Sequence, residues 1–150
     1  MLAALLLLQI QQPPPVSVHM PTSEVVDVAR MLAKDLGYQL DRYPKLYSFD
    51  LLSTGGGHAG YISIGFYASG HPIHYFDINE TTGQVVDSMT CKAFDFPDLR
   101  VFQNTHQRLS GSRPRATEEL MGDINCDRLT IVRNAEVPDP KSPATAQKSR

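Results

Sequence analysis

The 150-residue chain has little net charge, few cysteines and no apolar segment long enough to span a membrane. Its formal net charge is −2 at pH 7, so no strong overall field favours nucleic acid or an anionic membrane. The continuous apolar run LAALLLLQI, at 2–10, has about nine residues, whereas a membrane helix needs about 20. We therefore expect neither a nucleic-acid-binding protein nor a protein stably inserted in a membrane.

The apolar run at 2–10 has instead the length of the hydrophobic part of a secretory signal peptide, and the helix-hostile QQPPP follows it. A buried N-terminal helix is the alternative, but Pro13–Pro15 would stop that helix at once. We expect a periplasmic or secreted protein. Its expected divisions are a leader and Pro-rich linker over 1–20, one domain over 21–135 and a disordered tail over 136–150.

Cysteine is scarce, and neither Cys91 nor Cys126 belongs to a C-x-x-C pair of the kind used in metal sites and thioredoxin-like redox sites. In an oxidising compartment the two cysteines are expected to form a disulfide. In the cytosol they would instead be two small buried apolar residues. Because the chain is expected to be exported, the disulfide is the favoured interpretation.

Hydrophobic periodicity predicts an α+β fold. Val25, Val28 and Leu32 recur at helical spacing, which predicts a helix that is capped by Thr22 or Ser23 and ends at Gly37. Alternating segments predict strands over 45–53, 61–68, 72–78 and 84–89, with turns at Ser69–Gly70 and 79–83; a helix over 96–109, a short helix over 117–124 and a last strand over 127–134 follow. The expected architecture is an N-terminal helix packed on an antiparallel meander of about four strands, with a C-terminal helical segment and a last strand.

The glycines of STGGGHAGYISIGFY, at 53–67, match the spacing of a dinucleotide-binding motif through Gly55, Gly57 and Gly60. That motif works only when a helix follows the glycines, because the pyrophosphate binds at the N-terminus of the helix. Here an alternating, β-forming segment follows. We therefore expect a hairpin loop rather than a nucleotide site, and we predict no cofactor.

No catalytic motif stands out. The chain lacks G-x-S-x-G, and no motif surrounds either cysteine. His71 and His74 form a possible metal pair, but residues three apart on a strand point to opposite faces, so both could bind one ion only through a bend at Pro72. Histidines at the rim of the fold are the favoured interpretation, and His106 is expected to be a packed helix residue. We predict no catalytic residue and no metal ligand, and hence a protein that is not an enzyme.

The remaining candidate is a protein-binding surface. If Ile62, Ile64 and Phe66 face the helix, the tyrosines between and beside them point to the other face of the sheet, where they suit protein recognition. The alternative is that the segment 96–134 covers these tyrosines. The predicted partner-binding residues are Gly56, Gly57, His58, Tyr61, Tyr67, His71 and Tyr75.

The segment YFDINETTGQVVD, at 75–87, resembles the strand–turn–strand signature of PepSY-type domains. The resemblance extends over about 65 residues, from the helix at 22 onward. It implies an exported or membrane-associated, non-enzymatic module that binds or inhibits proteins. The general outline also resembles bacterial periplasmic immunity proteins and hydrolase inhibitors.

These observations lead to one functional hypothesis and two alternatives. We expect a small exported binding protein that inhibits or neutralises a protein partner, such as a cell-wall-degrading enzyme or another secreted toxin. In this hypothesis the loop with Gly56 and Gly57 inserts toward the partner's active site. The alternatives are a small hydrolase that depends on histidine or metal, and a structural protein of the cell envelope.

Overall fold

The structure, a computed structural model, describes residues 20–54 and 58–133. Its three helices are α1 (Thr22–Asp35), α2 (Pro97–Ser110) and α3 (Thr117–Ile124). Its six strands are β1 (Tyr47–Thr54), β2 (Tyr61–Ala68), β3 (His71–Asn79), β4 (Val85–Asp87), β5 (Lys92–Phe94) and β6 (Thr130–Val132). The predicted leader and tail fall outside these residues, apart from Met20, as do Gly56 and Gly57.

All six strands form one sheet in chain order. Neighbouring strands from β1 to β5 are antiparallel, and β6 pairs with β5 in parallel. A parallel pair needs a long crossover, and α2 and α3 supply it. The predicted α+β class is confirmed, and the structure adds β5, which has only three residues and is too short to show a period in sequence.

Helix α1 forms where the apolar periodicity predicts it. Val25, Val28 and Leu32 lie on its buried face, and Gly37 follows its end with a φ of 91°, which glycine adopts readily. The predicted side-chain cap is wrong. Pro21 occupies the N-cap position and no side-chain cap hydrogen bond forms, so Thr22 already lies inside the helix.

The main core lies between helices α1 and α2 and one face of the sheet. Ile62, Ile64 and Phe66 of β2 are buried there against α1, as predicted, with Leu99 of α2 in the same core. Because successive strand residues point to opposite faces, the other residues of β2 belong to the second face. The helix layer therefore decides which face of β2 remains for other contacts.

A smaller core lies on the second face, at one end of the sheet. Tyr61 and Val86 pack there against Leu120 and Ile124 of α3. Cys91 and Cys126 form the predicted disulfide, which ties the start of β5 to the end of α3, with their Cα atoms 5.9 Å apart. Helix α3 thus covers only part of this face.

Two turns connect the central strands. Ser69 and Gly70 both have positive φ, as in the two-residue turns that match the twist of a hairpin. In the 79–83 turn, the Asn79 side-chain oxygen accepts hydrogen bonds from the backbone N–H groups of Thr81 and Thr82, at 3.1 and 3.0 Å. Both turns lie where the sequence predicts them.

In the described part of the chain, no helix is both long and apolar enough to cross a bilayer.

We expect the disulfide to contribute strongly to stability. It joins residues 35 positions apart, and closing a loop of that length in the unfolded chain is worth about 4 kcal/mol in the chain-entropy model. The double variant Cys91→Ala/Cys126→Ala should therefore unfold at a markedly lower denaturant concentration than the oxidised protein. Reductant should shift the unfolding curve of the native chain but not that of the variant. Equal midpoints for native protein and variant would contradict this role.

Candidate functional site

Part of the second face of the sheet is not covered by α3. Strand pairing places Asp50 of β1 and Tyr75 of β3 on either side of Gly65 of β2. Because side chains alternate between the two faces along a strand, the residues two positions from Gly65 on β2 lie on the same face as these residues. We call this surface the open face, and it comprises Asp50, Gly65, Tyr67 and Tyr75.

Gly65 leaves room for an aromatic ring on the open face. A Cβ atom at Gly65 would lie 2.5 Å from Cε2 and 2.7 Å from the hydroxyl oxygen of Tyr67, which is far closer than van der Waals contact. The Tyr67 ring therefore lies across the bare backbone of Gly65. A ring that covers a strand glycine in this way also compensates for the missing side chain.

The two tyrosines of the open face interact with each other. Burial, followed by the proximity of Tyr75 and Asp50, raises the pKa of Tyr67 above its ordinary value. The phenol of Tyr67 therefore keeps its proton at neutral pH and remains a hydrogen-bond donor. Tyr67 and Tyr75 are both partly exposed, so they present ring surface and hydroxyl groups to a partner.

The next row of the second face, toward the end that α3 covers, holds a buried polar pair. The Ser63 hydroxyl donates a short hydrogen bond to Oδ1 of Asp77. Asp77 is only 2% exposed, and its Oδ2 atom has no hydrogen-bond partner among the described residues. Within that part of the chain, no Lys or Arg forms an ion pair with Asp50 or Asp77. Burial of an unsatisfied carboxyl oxygen costs free energy, so Asp77 is an unusual feature.

Tyr61, another predicted contact residue, is not on the open face. It is 1% exposed, and its hydroxyl donates to Oδ2 of Asp123 on α3 at 2.8 Å. Arg115 forms an ion pair with Asp123: its Nη2 donates a hydrogen bond to Oδ1 at 2.9 Å, and its Nε lies 2.7 Å from Oδ2. The alternative interpretation, coverage by the segment 96–134, thus holds for Tyr61 but leaves Tyr67 and Tyr75 partly exposed.

The predicted histidines lie at opposite ends of the central hairpin. His58 is beside Tyr61, with ring centroids 6.5 Å apart, and His71 is exposed next to the Ser69–Gly70 turn. Strand β2 between them spans roughly 23 Å. The structure therefore brings Tyr67, His71 and Tyr75 to one end and His58 to the other. A strand follows the glycines at 55–60, as predicted.

A buried polar chain that the sequence analysis missed lies in the main core. His74 Nδ1 is 2.8 Å from Oδ2 of Asp87, and His74 Nε2 is 3.0 Å from the hydroxyl of Tyr38. Thr90 also donates to Asp87 Oδ2 at 2.6 Å, and the Tyr75 amide donates to Oδ1 at 3.2 Å. No sequence motif predicts these hydrogen bonds, because Tyr38, His74 and Asp87 come from separate elements of the fold.

Both ring nitrogens of His74 thus have protein partners, while His71 is exposed on the turn. Among the residues that the structure describes, no group of three His, Cys, Asp or Glu side chains is arranged to hold a metal ion. The predicted rim position fits His71 but is wrong for His74, which is partly buried in the core. His106 is packed as predicted, with Nε2 2.6 Å from the carbonyl oxygen of Glu80.

A cleft of about 230 Å³ lies between the end of β6 and the helices α2 and α3. The charged residues that line it include Asp95, Arg115 and Arg133. These side chains already form ion pairs: Arg133 with Asp95 at 3.6 Å and Arg115 with Asp123. The cleft is therefore a weaker candidate for a binding site than the open face.

No protein-family model matches the chain, and no curated protein matches its sequence. The resemblance to PepSY-type domains therefore gains no support. Among solved structures, a chain from the structure of a type VI secretion system effector–immunity complex from Pseudomonas protegens is similar, with a TM-score of 0.62 and 20% identity. The match covers 73% of this chain and 92% of that chain. At this identity the likeness shows a shared fold.

We expect Asp87 to be critical for stability. Burial by itself raises the pKa of Asp87, but its contacts with His74, Thr90 and the Tyr75 amide outweigh burial and hold the pKa below its ordinary value. Removing the carboxylate in Asp87→Ala would leave these buried donors without a partner, at a cost of about 3 kcal/mol in the free energy of unfolding. Chemical denaturation at pH 7 measures the change. Asp41→Ala is the control, because Asp41 pairs with Lys34 at the surface and its loss should matter little.

The same carboxylate predicts a direction for the pH dependence. A group with a lowered pKa in the folded state stabilises the fold above its unfolded pKa, which is about 3.9 for Asp, and this stability is lost as the pH falls further. Between pH 7 and pH 3, Asp87→Asn should therefore lose less stability than the native chain. An equal loss in both proteins would contradict the assignment.

Proposed function

We propose that this chain is a non-enzymatic immunity or inhibitor protein, which neutralises a toxic protein partner by binding it. The observation that carries the proposal is the open face, where Tyr67 and Tyr75 stand on the two central strands of the sheet. Tyrosine provides a large, stiff contact area with a polar tip, and such residues dominate binding energies in protein interfaces. A rigid sheet that presents them needs little ordering on binding.

The fold comparison supports the same function. The chain shares its fold with a protein from an effector–immunity complex, and the match extends over 92% of that protein. A fold hosts many functions, so the likeness supports the proposal only together with the site. Here the two agree, because the exposed tyrosines of the open face suit binding to a protein.

Two features support a location in the cell envelope. The Cys91–Cys126 disulfide is typical of an oxidising compartment, and the apolar run at 2–10 has the length expected in an export signal. A partner that acts there would be a cell-wall-degrading enzyme or another secreted toxin. The predicted insertion of the loop with Gly56, Gly57 and His58 would form a second contact, at the opposite end of β2.

A hydrolase is the second candidate, and the specific observation in its favour is the chain Tyr38–His74–Asp87. Its order of hydroxyl, imidazole and carboxylate is that of an activated nucleophile. However, burial, followed by Tyr47 and Asp87, raises the pKa of Tyr38, which makes its hydroxyl a poorer nucleophile. The His74 ring is also stacked against Phe76, 5.2 Å between centroids. We therefore interpret the hydrogen bonds among Tyr38, His74 and Asp87 as structural.

A protection assay tests the proposal. A test bacterium exports a secreted toxin that the tagged chain captures from the periplasm of its native host, with or without the chain, and survival is counted. The native chain should restore growth and bind the purified toxin. Tyr67→Ala and Tyr75→Ala should each weaken binding about tenfold or more, because each removes a central aromatic contact. Calorimetry of the purified pair measures the change.

Leu109→Ala is the matched control. Leu109 is 65% exposed on α2, in the helix layer on the opposite side of the sheet, so its loss should leave binding unchanged. If the native chain neither binds nor protects, the immunity function is wrong. If Leu109→Ala weakens binding as much as Tyr67→Ala, the open face is not the interface. Protection without binding would favour the alternative of a structural envelope protein.

A further inference from the structure

Strand β1 forms one edge of the sheet. It comes first in the strand order and pairs with β2 alone among the described strands. Its segment 46–54 contains no Lys, Arg or Pro, although Lys and Pro commonly protect such an edge against pairing with another strand. The Leu51 side chain on this strand is 41% exposed. Strand β1 therefore offers a weakly protected edge with apolar side chains beside it.

The backbone of β1 directs hydrogen-bonding groups out of the sheet. The carbonyl oxygen of Leu46 accepts a hydrogen bond from the Ser69 N–H at 2.8 Å, so the backbone groups of Leu46 point toward β2. Because this direction alternates along a strand, those of Tyr47, Phe49 and Leu51 point away from β2. The two-residue hairpin between β2 and β3 gives the same assignment independently.

These outward residues match a second copy of β1 in one antiparallel register. If Phe49 lies opposite Phe49 of the second copy, then Tyr47 lies opposite Leu51, and each pair exchanges two backbone hydrogen bonds. Asp50 lies opposite Ser48, so no like charges face each other across the strands. A two-fold axis through the Phe49 pair produces this arrangement, as in a symmetric dimer.

The neighbouring registers fit less well. A register centred on Asp50 places two carboxylates directly opposite each other, in the closer type of strand pair. One centred on Ser48 places Leu51 opposite Lys45, which lies outside β1. The irregularity of β1 just after Leu51 ends its regular pairing. Only the register centred on Phe49 therefore uses all three outward residues within the regular part of the strand.

Arg30 of α1 opposes this pairing. Its guanidinium carbon is 5.3 Å from the centroid of the Phe49 ring, so the Arg30 side chains of two copies would approach each other. Arg30 is exposed, and its long side chain can turn toward solvent. The remaining cost is a charge repulsion that salt screens, so the association should strengthen as the ionic strength rises.

We propose that the protein forms a weak two-fold dimer through antiparallel pairing of β1 with β1 of a second copy, which joins the two six-stranded sheets into one. Paired residues of an antiparallel sheet point to the same face, so the two open faces lie on the same side of the joined sheet. Tyr67 and Tyr75 belong to β2 and β3 and take no part in the pairing. The inference thus goes beyond the immunity proposal and does not depend on it.

Sedimentation and hydrogen exchange test the dimer without a toxin. Sedimentation is followed from about 0.01 to 1 mM protein, and we expect a Kd on the order of 0.1 mM because the pairing is short. By NMR, the amides of Tyr47, Phe49 and Leu51 should exchange more slowly at the upper concentration. Those of Ser48 and Asp50 already point toward β2 and should exchange at similar rates at both concentrations.

Charge variants locate the interface. Leu51→Lys should weaken the dimer about tenfold, because it places a solvated charge on the strand edge. Val101→Lys is the matched control, since it adds the same charge at a position of α2 that is 67% exposed and should leave the Kd unchanged. Arg30→Gln should tighten the dimer about threefold, because it removes the repulsion between the two guanidinium groups.

Three results would overturn the inference: a monomer at about 1 mM, equal weakening by Leu51→Lys and Val101→Lys, or protection that does not alternate along β1. A chain that stays monomeric but gains protection at Phe49 and its outward neighbours when it binds a toxin would assign this edge to the toxin, and self-pairing would be wrong. The protection assay is a separate experiment, so failure of the dimer leaves the immunity proposal intact.

Discussion

The antiparallel pairing of β2 with β3 is the interaction on which the rest of the structure depends. The two-residue turn at Ser69–Gly70 starts this pairing, and a register shift between Phe66 and Tyr67 fixes the remaining rows. The alternation of β2 then divides the side chains between two faces. Ile62, Ile64 and Phe66 enter the main core, so Gly65 and Tyr67 must lie on the other face. A shift of one residue in this register would bury the tyrosines and expose the core.

Helix α3 decides how much of the second face remains accessible. The disulfide holds the end of this helix against β5, and Asp123 joins Arg115 and Tyr61 in one hydrogen-bonded group. The covered end therefore gains a second small core. The other end keeps an accessible surface with the rings of Tyr67 and Tyr75 and the carboxyl group of Asp50.

Whether the position of a candidate residue could be predicted from the sequence depends on how far apart along the chain its contacts lie. Alternation within β2 correctly placed Tyr67 opposite the core, because that property depends only on sequence neighbours. The sequence could not decide whether the segment 96–134 covers Tyr61, because the hydrogen bond from Tyr61 to Asp123 joins residues 62 positions apart. The Tyr38–His74–Asp87 chain was missed for the same reason: Tyr38 and His74 lie 36 positions apart, on different elements.

The sequence by itself determined the helix α1, the four strands of the predicted meander, the two turns and the pairing of the cysteines. These follow from local periodicity, turn chemistry and the presence of a single possible disulfide. Only the tertiary structure decided that α3 covers one end of the second face, that β5 joins the sheet with β6 parallel to it, and that Asp77 is buried with one carboxyl oxygen unpartnered among the described residues. These properties depend on which distant segments pack together, and local patterns do not encode that choice.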